Sequence, residues 1–257
     1  MSIRTKVILG AILLNAITFT LTRIWWALHG ELAATLETHI ENPEDKTMTY
    51  LIAGNLNQAD TAFDFMKSEF GENYTFVQFS TKGWSPKATA KLIAQDIKEH
   101  SYEARVFTIS LGDHVARYLE RDLGSTIKVY AINPCPTREA LQSPLGTVLK
   151  FASPVAELAC HACGWASYLP IVPSWGGQYS PILLIDQYWS ICYDSPPLVT
   201  SNTYGLVCSE YDTLLDNNVL EYFYLDADIE YIDCGHSDVV NSAEKYYNAI
   251  CNLLENE

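Results

Sequence analysis

The residues best suited to nucleophilic chemistry in this sequence lie where an apolar run meets a helix-like one. Residues 105–115 read RVFTISLGDHV, so Ser110 follows an apolar stretch and Gly112 comes two positions later. In a GxSxG turn between strand and helix, the serine hydroxyl is lifted above the sheet and the helix start offers amides to an oxyanion. Thr108 stands where that pattern has its first glycine. A serine that only caps the helix is therefore the alternative interpretation.

Two later segments carry the residue types that would complete a set of nucleophile, base and acid. Residues 204–215 read YGLVCSEYDTLL, an apolar run followed by Asp212. Residues 229–238 read IEYIDCGHSD, in which a glycine turn precedes His236. A parallel sheet brings the carboxyl ends of its strands to one edge, so a serine, an acid and a histidine that each follow a strand would meet there.

The elements that must position these residues follow a repeating pattern. Beyond residue 47, short apolar runs alternate with amphipathic stretches, which is typical of βα units. The sequence therefore predicts an α/β fold: a mainly parallel six-stranded sheet flanked by helices, with a helical cap. Strands are expected at 48–53, 74–79, 104–109, 127–132, 203–208 and 229–233. Helices are expected at about 59–70, 86–99, 111–122 and 239–254.

With these residues in this order, the chain resembles the α/β-hydrolase superfamily. The resemblance covers roughly residues 48–254 and is carried by Ser110 with Gly112, by Asp212 and by His236. It implies a serine hydrolase that cleaves carboxylic esters or thioesters with an apolar acyl group through an acyl-enzyme. Such a reaction needs no metal or cofactor.

The resemblance also implies a role for each site residue. Ser110 would attack the carbonyl, His236 would take and return its proton, and Asp212 would orient the imidazole. The first predicted strand ends in LIAGNL, where the family often has His-Gly. The implied oxyanion hole consists of backbone amides, those of Leu111 and of Asn55 or Leu56.

Other titratable residues compete for these roles. Asp233 lies close to His236 in sequence, but its place at a strand end predicts that it faces solvent. His114 is expected to be a packed helix residue, and Asp113 is explained by the helix dipole. The alternative acids are Asp216, Asp226 and Asp228.

One long interval, about 136–200, interrupts the alternation and is expected to be a cap over the site. Its aromatic residues predict either the lining of an apolar substrate pocket or a small core of the cap itself. Cys160 and Cys163 form a lone CxxC, which favours a local disulfide, a dithiol or plain packing over a zinc site.

The amino end has the pattern of a targeting segment. Residues 7–22 contain no charge and lie between basic residues, so 1–30 is predicted to be a signal-anchor, with a cleaved signal peptide or a buried helix as alternatives. The basic flank ahead of the apolar run predicts a body outside the cytoplasm, either membrane-anchored or secreted. Residues 31–47 are predicted to be a polar linker and 48–257 the folded domain.

Composition limits the function classes. A chain of 257 residues with 48% hydrophobic and 18% charged residues is long and apolar enough for one folded domain. All 31 acidic residues follow residue 30, and the formal net charge is −15, which argues against nucleic-acid binding. The alternatives to a small-molecule hydrolase are a non-catalytic binding module on the same fold and a cofactor-free lyase or haloperoxidase.

Overall fold

A computed structural model describes residues 5–6, 9–10, 13, 17, 34–54, 59–79, 85–100, 102–136, 140–142, 202–236, 238 and 242–255. Most of the predicted signal-anchor and nearly all of the predicted cap, including its aromatic residues and its CxxC, lie outside these ranges. Within them, no helix combines the length and apolar character needed to cross a membrane.

The described ranges contain one seven-stranded sheet with the order β1-β3-β2-β4-β5-β6-β7. All neighbouring strands are parallel except β1, which pairs antiparallel with β3. Six of the strands, β2 to β7, are those that the sequence predicts. The strands are β1 Ala34–Ile40, β2 Thr47–Ile52, β3 Asn73–Phe79, β4 Glu103–Ile109, β5 Ile127–Ile132, β6 Thr203–Ser209 and β7 Asp228–Ile232.

The edge strand β1 corrects the prediction that residues 31–47 form a linker and raises the number of strands from six to seven. Only part of β1 contacts the core and most of its residues are exposed, so the segment looks polar in sequence. The buried Asn73 side chain closes the turn that follows β1: its Oδ1 accepts hydrogen bonds from the backbone amides of Glu41 and Asn42, each at 3.1 Å. Its Nδ2 donates to the carbonyl oxygens of Asn42 and Asp45.

Helices cover both faces of the sheet. Helices α2 and α3 pack on one face, with α4 beside them, and α1 and α5 pack on the other. The predicted helix at 59–70 is a short α1 followed by a 3-10 turn, and α4 was not predicted. The helices are α1 Ala59–Ala62, α2 Pro86–His100, α3 Asp113–Leu123, α4 Asn217–Phe223 and α5 Ala243–Glu255, with 3-10 turns at Asp64–Glu69, Ser110–Gly112 and Gly124–Thr126.

Alternation along the central strands explains why both faces are covered. Val106 of β4 packs beneath α2 and α3, whereas its neighbour Phe107 packs beneath α1 and α5 and stacks on Tyr130 with ring centroids 5.0 Å apart. A one-residue slip of β4 would exchange the two sets of side chains, so this packing fixes its register. Because β4 to β7 are parallel, the carboxyl ends of β4, β6 and β7 share one edge of the sheet.

Candidate active site

The turn after β4 is a sharp elbow with Ser110 at its tip. Ser110 has a φ of +51°, a left-handed conformation that costs a non-glycine residue energy. A methyl group at Gly112 would lie 2.5 Å from the carbonyl oxygen of Ile52, and one at Gly54 would lie 2.8 Å from that of Ile109. Both positions must be glycine, because the elbow lies directly against the end of β2.

Thr108, which departs from the GxSxG pattern, lies within β4 and is fully buried. It stands opposite Ile52 of β2 and Ala131 of β5 in the parallel ladder. The closest backbone approaches fall instead at Gly54 and Gly112, so the elbow forms with a threonine at this position.

The structure brings the three predicted side chains together at the carboxyl edge of the sheet. The Ser110 Oγ lies 3.0 Å from His236 Nε2. On the far side of the imidazole, His236 Nδ1 lies 2.7 Å from Asp212 Oδ2. The imidazole is 13% exposed and the carboxylate 1% exposed. The three groups form a continuous hydrogen-bonded chain with its open end at the serine.

The loop that follows β6 fixes the Asp212 carboxylate. Its second oxygen, Oδ1, accepts hydrogen bonds from the backbone amides of Leu214 at 2.8 Å and Leu215 at 2.9 Å. Gln142 Nε2 donates to the backbone carbonyl oxygens of Asp212 and Leu215 and ties this loop to the segment after β5. One oxygen of the acid is thus held by the backbone, and the other faces the histidine.

The alternative acids lie elsewhere. Asp216 caps the start of α4 by accepting a hydrogen bond from the Asn218 amide at 3.0 Å. The Asp233 side chain is 70% exposed, as predicted, and its Oδ2 lies 3.7 Å from Lys245 Nζ. Asp226 and Asp228 are exposed near the start of β7.

His114 and Asp113 point into the core beneath the elbow. Burial lowers the pKa of His114 from its ordinary value of 6.5 to about 4, and its ring is hydrogen-bonded to the Cys135 backbone. Asp113 is more than a dipole partner of α3: it is fully buried, lies 3.1 Å from Arg117 Nη2 and accepts a 2.5 Å hydrogen bond from Tyr224. Burial raises the pKa of Asp113 despite this pairing.

The predicted oxyanion amides are only partly within the described residues. Leu111 directly follows Ser110 in the 3-10 turn that leads into α3, and its side chain is buried. Asn55 and Leu56 lie outside the described residues. Cys234, close to the histidine in sequence, is a buried thiol and not half of a disulfide.

Three polar residues that lie beneath the site were not predicted from the sequence. Asn133, at the carboxyl end of β5, is buried and has a φ of +46°. Ser209 ends β6, and Tyr246 projects from α5. For Asn133 and Ser209 the available signal was a polar residue at the end of a buried apolar run, because such residues face the same edge as the nucleophile. For Tyr246, within helix α5, the sequence has no such signal.

No protein-family model matches the chain, and no curated protein matches it by sequence. Solved structures do match it. A hydrolase from Oleispira antarctica aligns with a TM-score of 0.60 at 14% identity, covering 90% of this chain and 98% of its own. An α/β hydrolase enzyme from a Medee basin deep-sea metagenome library gives 0.62 at 13% identity, with coverage of 86% and 94%. A thermophilic esterase from Thermogutta terrifontis aligns with a TM-score of 0.60 at 13% identity, covering 87% of this chain and 93% of its own. At these identities the likeness is one of fold, and it agrees with the sheet order and the elbow: this chain has the α/β-hydrolase fold.

Proposed function

We propose that this protein is a serine hydrolase that cleaves carboxylic esters or thioesters through an acyl-enzyme. The observation that carries the proposal is the hydrogen-bonded chain from Ser110 Oγ to His236 Nε2 at 3.0 Å and from His236 Nδ1 to Asp212 Oδ2 at 2.7 Å. A helix-capping serine needs no such chain. A left-handed serine at a strained elbow is also the conformation expected of a nucleophile that must project from the sheet.

Each residue has a defined part in this reaction. Ser110 Oγ attacks the carbonyl carbon while His236 Nε2 takes the hydroxyl proton, giving a tetrahedral oxyanion and an imidazolium. The imidazolium then protonates the leaving alkoxide or thiolate as the acyl-enzyme forms. Water repeats the sequence, with His236 again as the base, and releases the acid and the free serine. Asp212 holds the ring with its Nδ1 proton inward and stabilises the imidazolium.

Stabilisation of the oxyanion is assigned to backbone amides. The amide of Leu111 stands at the first turn after the nucleophile, where helical amides lack an intrahelical acceptor. The second donor is proposed to be Asn55 or Leu56, which continue the chain after β2 and Gly54. Loss of one such donor typically lowers kcat by about 10²–10³-fold.

The choice of an ester is supported by the structural neighbours. One of the three compared proteins is described as an esterase and the other two as hydrolases. Binding of an apolar acyl group by residues of the predicted cap stays a prediction from sequence. Attachment to a membrane through residues 1–30, with the domain outside the cytoplasm, stays a prediction from sequence.

The test is fluorophosphonate labelling of the full chain, with the modified peptide identified by mass spectrometry. We expect label on Ser110 alone, and none on Ser110→Ala or His236→Ala. His100→Ala is the matched control, since His100 lies at the exposed end of α2 and, among the residues described, its ring hydrogen-bonds within its own helix. A panel of p-nitrophenyl esters, thioesters and anilides then identifies the class of bond that is cleaved.

A folded wild-type protein that takes no label would refute the hydrolase and favour the non-catalytic binding module. Label on Ser110 without turnover of any ester, thioester or anilide would retain the activated serine but contradict the proposed substrates. Product analysis would then test for lyase or haloperoxidase chemistry on the same fold.

A further inference from the structure

Beneath the triad, three buried side chains from three different elements meet in one hydrogen-bonded cluster. Asn133 follows β5, Ser209 ends β6 and Tyr246 lies on α5, and each is at most 1% exposed. The Asn133 Nδ2 donates to the Tyr246 hydroxyl at 3.0 Å, and that hydroxyl lies 2.8 Å from Ser209 Oγ. We call these three residues the hub.

The hub binds the backbone of the loop that carries the histidine. The carbonyl oxygen of Gly235 lies 3.2 Å from the Tyr246 hydroxyl and 3.3 Å from Ser209 Oγ. Each hydroxyl has one proton and one of the two protons is needed for the contact between the hydroxyls, so this carbonyl accepts from one of them at a time. The carbonyl oxygen of His236 accepts from Asn133 Nδ2 at 3.3 Å. Burial raises the pKa of Tyr246, so its hydroxyl keeps the proton that it donates.

The same hub is joined to the acid and to the nucleophile. Asn133 Oδ1 accepts from the backbone amide of Ser209 at 2.9 Å, and the carbonyl of Ser209 in turn accepts from the amide of Asp212 at 3.2 Å. Two residues after Asn133, the amide of Cys135 donates to the carbonyl oxygen of Ser110 at 3.2 Å. The hub thus binds the histidine loop directly and is linked through neighbouring backbone groups to the loops of the acid and the nucleophile.

We propose that Asn133, Ser209 and Tyr246 are positioning residues that set the distance between His236 and its two partners in the triad. This inference rests on the proposed hydrolase function. The hub touches neither the reacting atoms nor the imidazole; it acts on the backbone at Gly235 and His236. Proton transfer depends steeply on such placement, and a displacement of 1 Å can cost about 100-fold in rate.

The residue types suit this role. Only an amide side chain can accept from the Ser209 amide with its oxygen while donating to two acceptors with its nitrogen. Asparagine also tolerates the left-handed backbone that turns Asn133 away from β5. An aspartate here would face the His236 carbonyl oxygen with an acceptor, and an alanine would leave three hydrogen-bonding groups without their partner.

The test compares two tyrosines that are adjacent on α5. Tyr246→Phe removes the hub hydroxyl and keeps the buried ring, whereas Tyr247→Phe removes a hydroxyl that hydrogen-bonds at the surface to Glu69 at 2.8 Å. We expect Tyr246→Phe to lower kcat and the rate constant of fluorophosphonate labelling by about 10-fold, with KM within twofold of wild type. Its pH–rate profile should also shift, because the environment of the His236 ring changes. Tyr247→Phe should leave all of these unchanged.

Asn133→Gly is the second variant, because glycine accepts the left-handed φ and removes only the side chain. It should lower kcat by up to about 100-fold, more than Tyr246→Phe does, because it removes the three side-chain hydrogen bonds of Asn133. Rates are measured on folded protein, well below the unfolding midpoint, so that lost stability alone moves none of them.

The outcomes separate the two proposals. A labelled, active wild type with kcat and pH profile unchanged in both hub variants would refute the positioning role and leave the hydrolase standing. A wild type that neither labels nor turns over would refute the hydrolase and this inference together. A fall in kcat at constant KM in the hub variants, absent from Tyr247→Phe, would establish the role.

Discussion

Replacing Asp212 by asparagine should remove most of the activity, because the hydrogen bonds of the site fix which way the new amide side chain points. In the native site, Oδ1 accepts from the amides of Leu214 and Leu215, and Oδ2 faces His236 Nδ1. The side chain of the Asp212→Asn variant has one oxygen and one NH₂ group in place of these two acceptors. The two backbone donors will take the oxygen, and the NH₂ group will then face His236.

The size of the effect follows from these contacts. Each backbone hydrogen bond contributes about 1 kcal/mol, so two of them favour this amide orientation by about 2 kcal/mol, or roughly 30-fold. With the NH₂ group donating to Nδ1, a neutral His236 carries its proton on Nε2, 3.0 Å from Ser110 Oγ, and cannot accept another. In the minor orientation, a neutral amide stabilises the imidazolium less than a carboxylate does. Together these effects should lower kcat by about 10⁴-fold, the loss found when other triads lose their acid in this way.

The assay is the fluorophosphonate labelling rate together with ester turnover, with the free energy of unfolding measured in urea. The free energy of unfolding of Asp212→Asn should be within about 1 kcal/mol of the wild-type value, because the hydrogen bonds from the amides of Leu214 and Leu215 are kept. Asp216→Asn is the matched control: it changes a carboxylate that caps α4, four residues away, and should label at the wild-type rate. More than one tenth of wild-type activity in a folded Asp212→Asn protein would refute the orientation argument.

Three further predictions concern the support of the site. Gly112→Ala places a methyl group 2.5 Å from the backbone oxygen of Ile52, so it should cost about 1–3 kcal/mol of stability and slow labelling at least 10-fold. His114 has a folded pKa of about 4 against an ordinary 6.5, so the unfolded chain takes up its proton first and stability is lost as the pH falls between these values. Between pH 7 and about pH 4.5, the free energy of unfolding measured in urea should fall by about 2 kcal/mol less in His114→Asn than in wild type. Arg117→Met leaves the buried carboxylates of Asp113 and Glu120 without their cation and should lower the free energy of unfolding by about 3–5 kcal/mol. The control is Arg121→Met, which removes a more exposed ion pair with Asp122 on the same helix and should lower it by less than about 1 kcal/mol.

The sequence predicts the central strands well because burial on both faces leaves a strong local signal. β2, β4 and β5 are rich in apolar and β-branched residues and are mostly buried, and the structure places each within one residue of its predicted bounds at either end. The edge strand β1 leaves a weaker signal, although the other edge strand, β7, lies within one residue of its predicted bounds. β1 is half exposed and contains Glu37, Thr38 and His39, and its pairing with β3 is a long-range contact that no local pattern encodes.

The candidate site likewise has a part that the sequence predicts and a part that it does not. Ser110, Asp212 and His236 each follow a strand, and that position was enough to predict that they meet, because parallel strands end at a common edge. The hub was not predictable in this way. Asn133, Ser209 and Tyr246 come from three elements, and their contact depends on how α5 lies against β5 and β6, which only the packed structure defines.

Thr108 shows why a motif is weaker evidence than the backbone geometry behind it. The first glycine of GxSxG is needed only where another chain segment passes close to that position. Here the tight contacts fall at Gly54 and Gly112, and Thr108 lies in the ladder between β2 and β5, where a β-branched residue is favoured. The departure from the pattern therefore removes no glycine that the elbow requires. On this argument Thr108→Gly should leave labelling of Ser110 unchanged and lower stability, since glycine weakens a strand interior; faster labelling in that variant would contradict it.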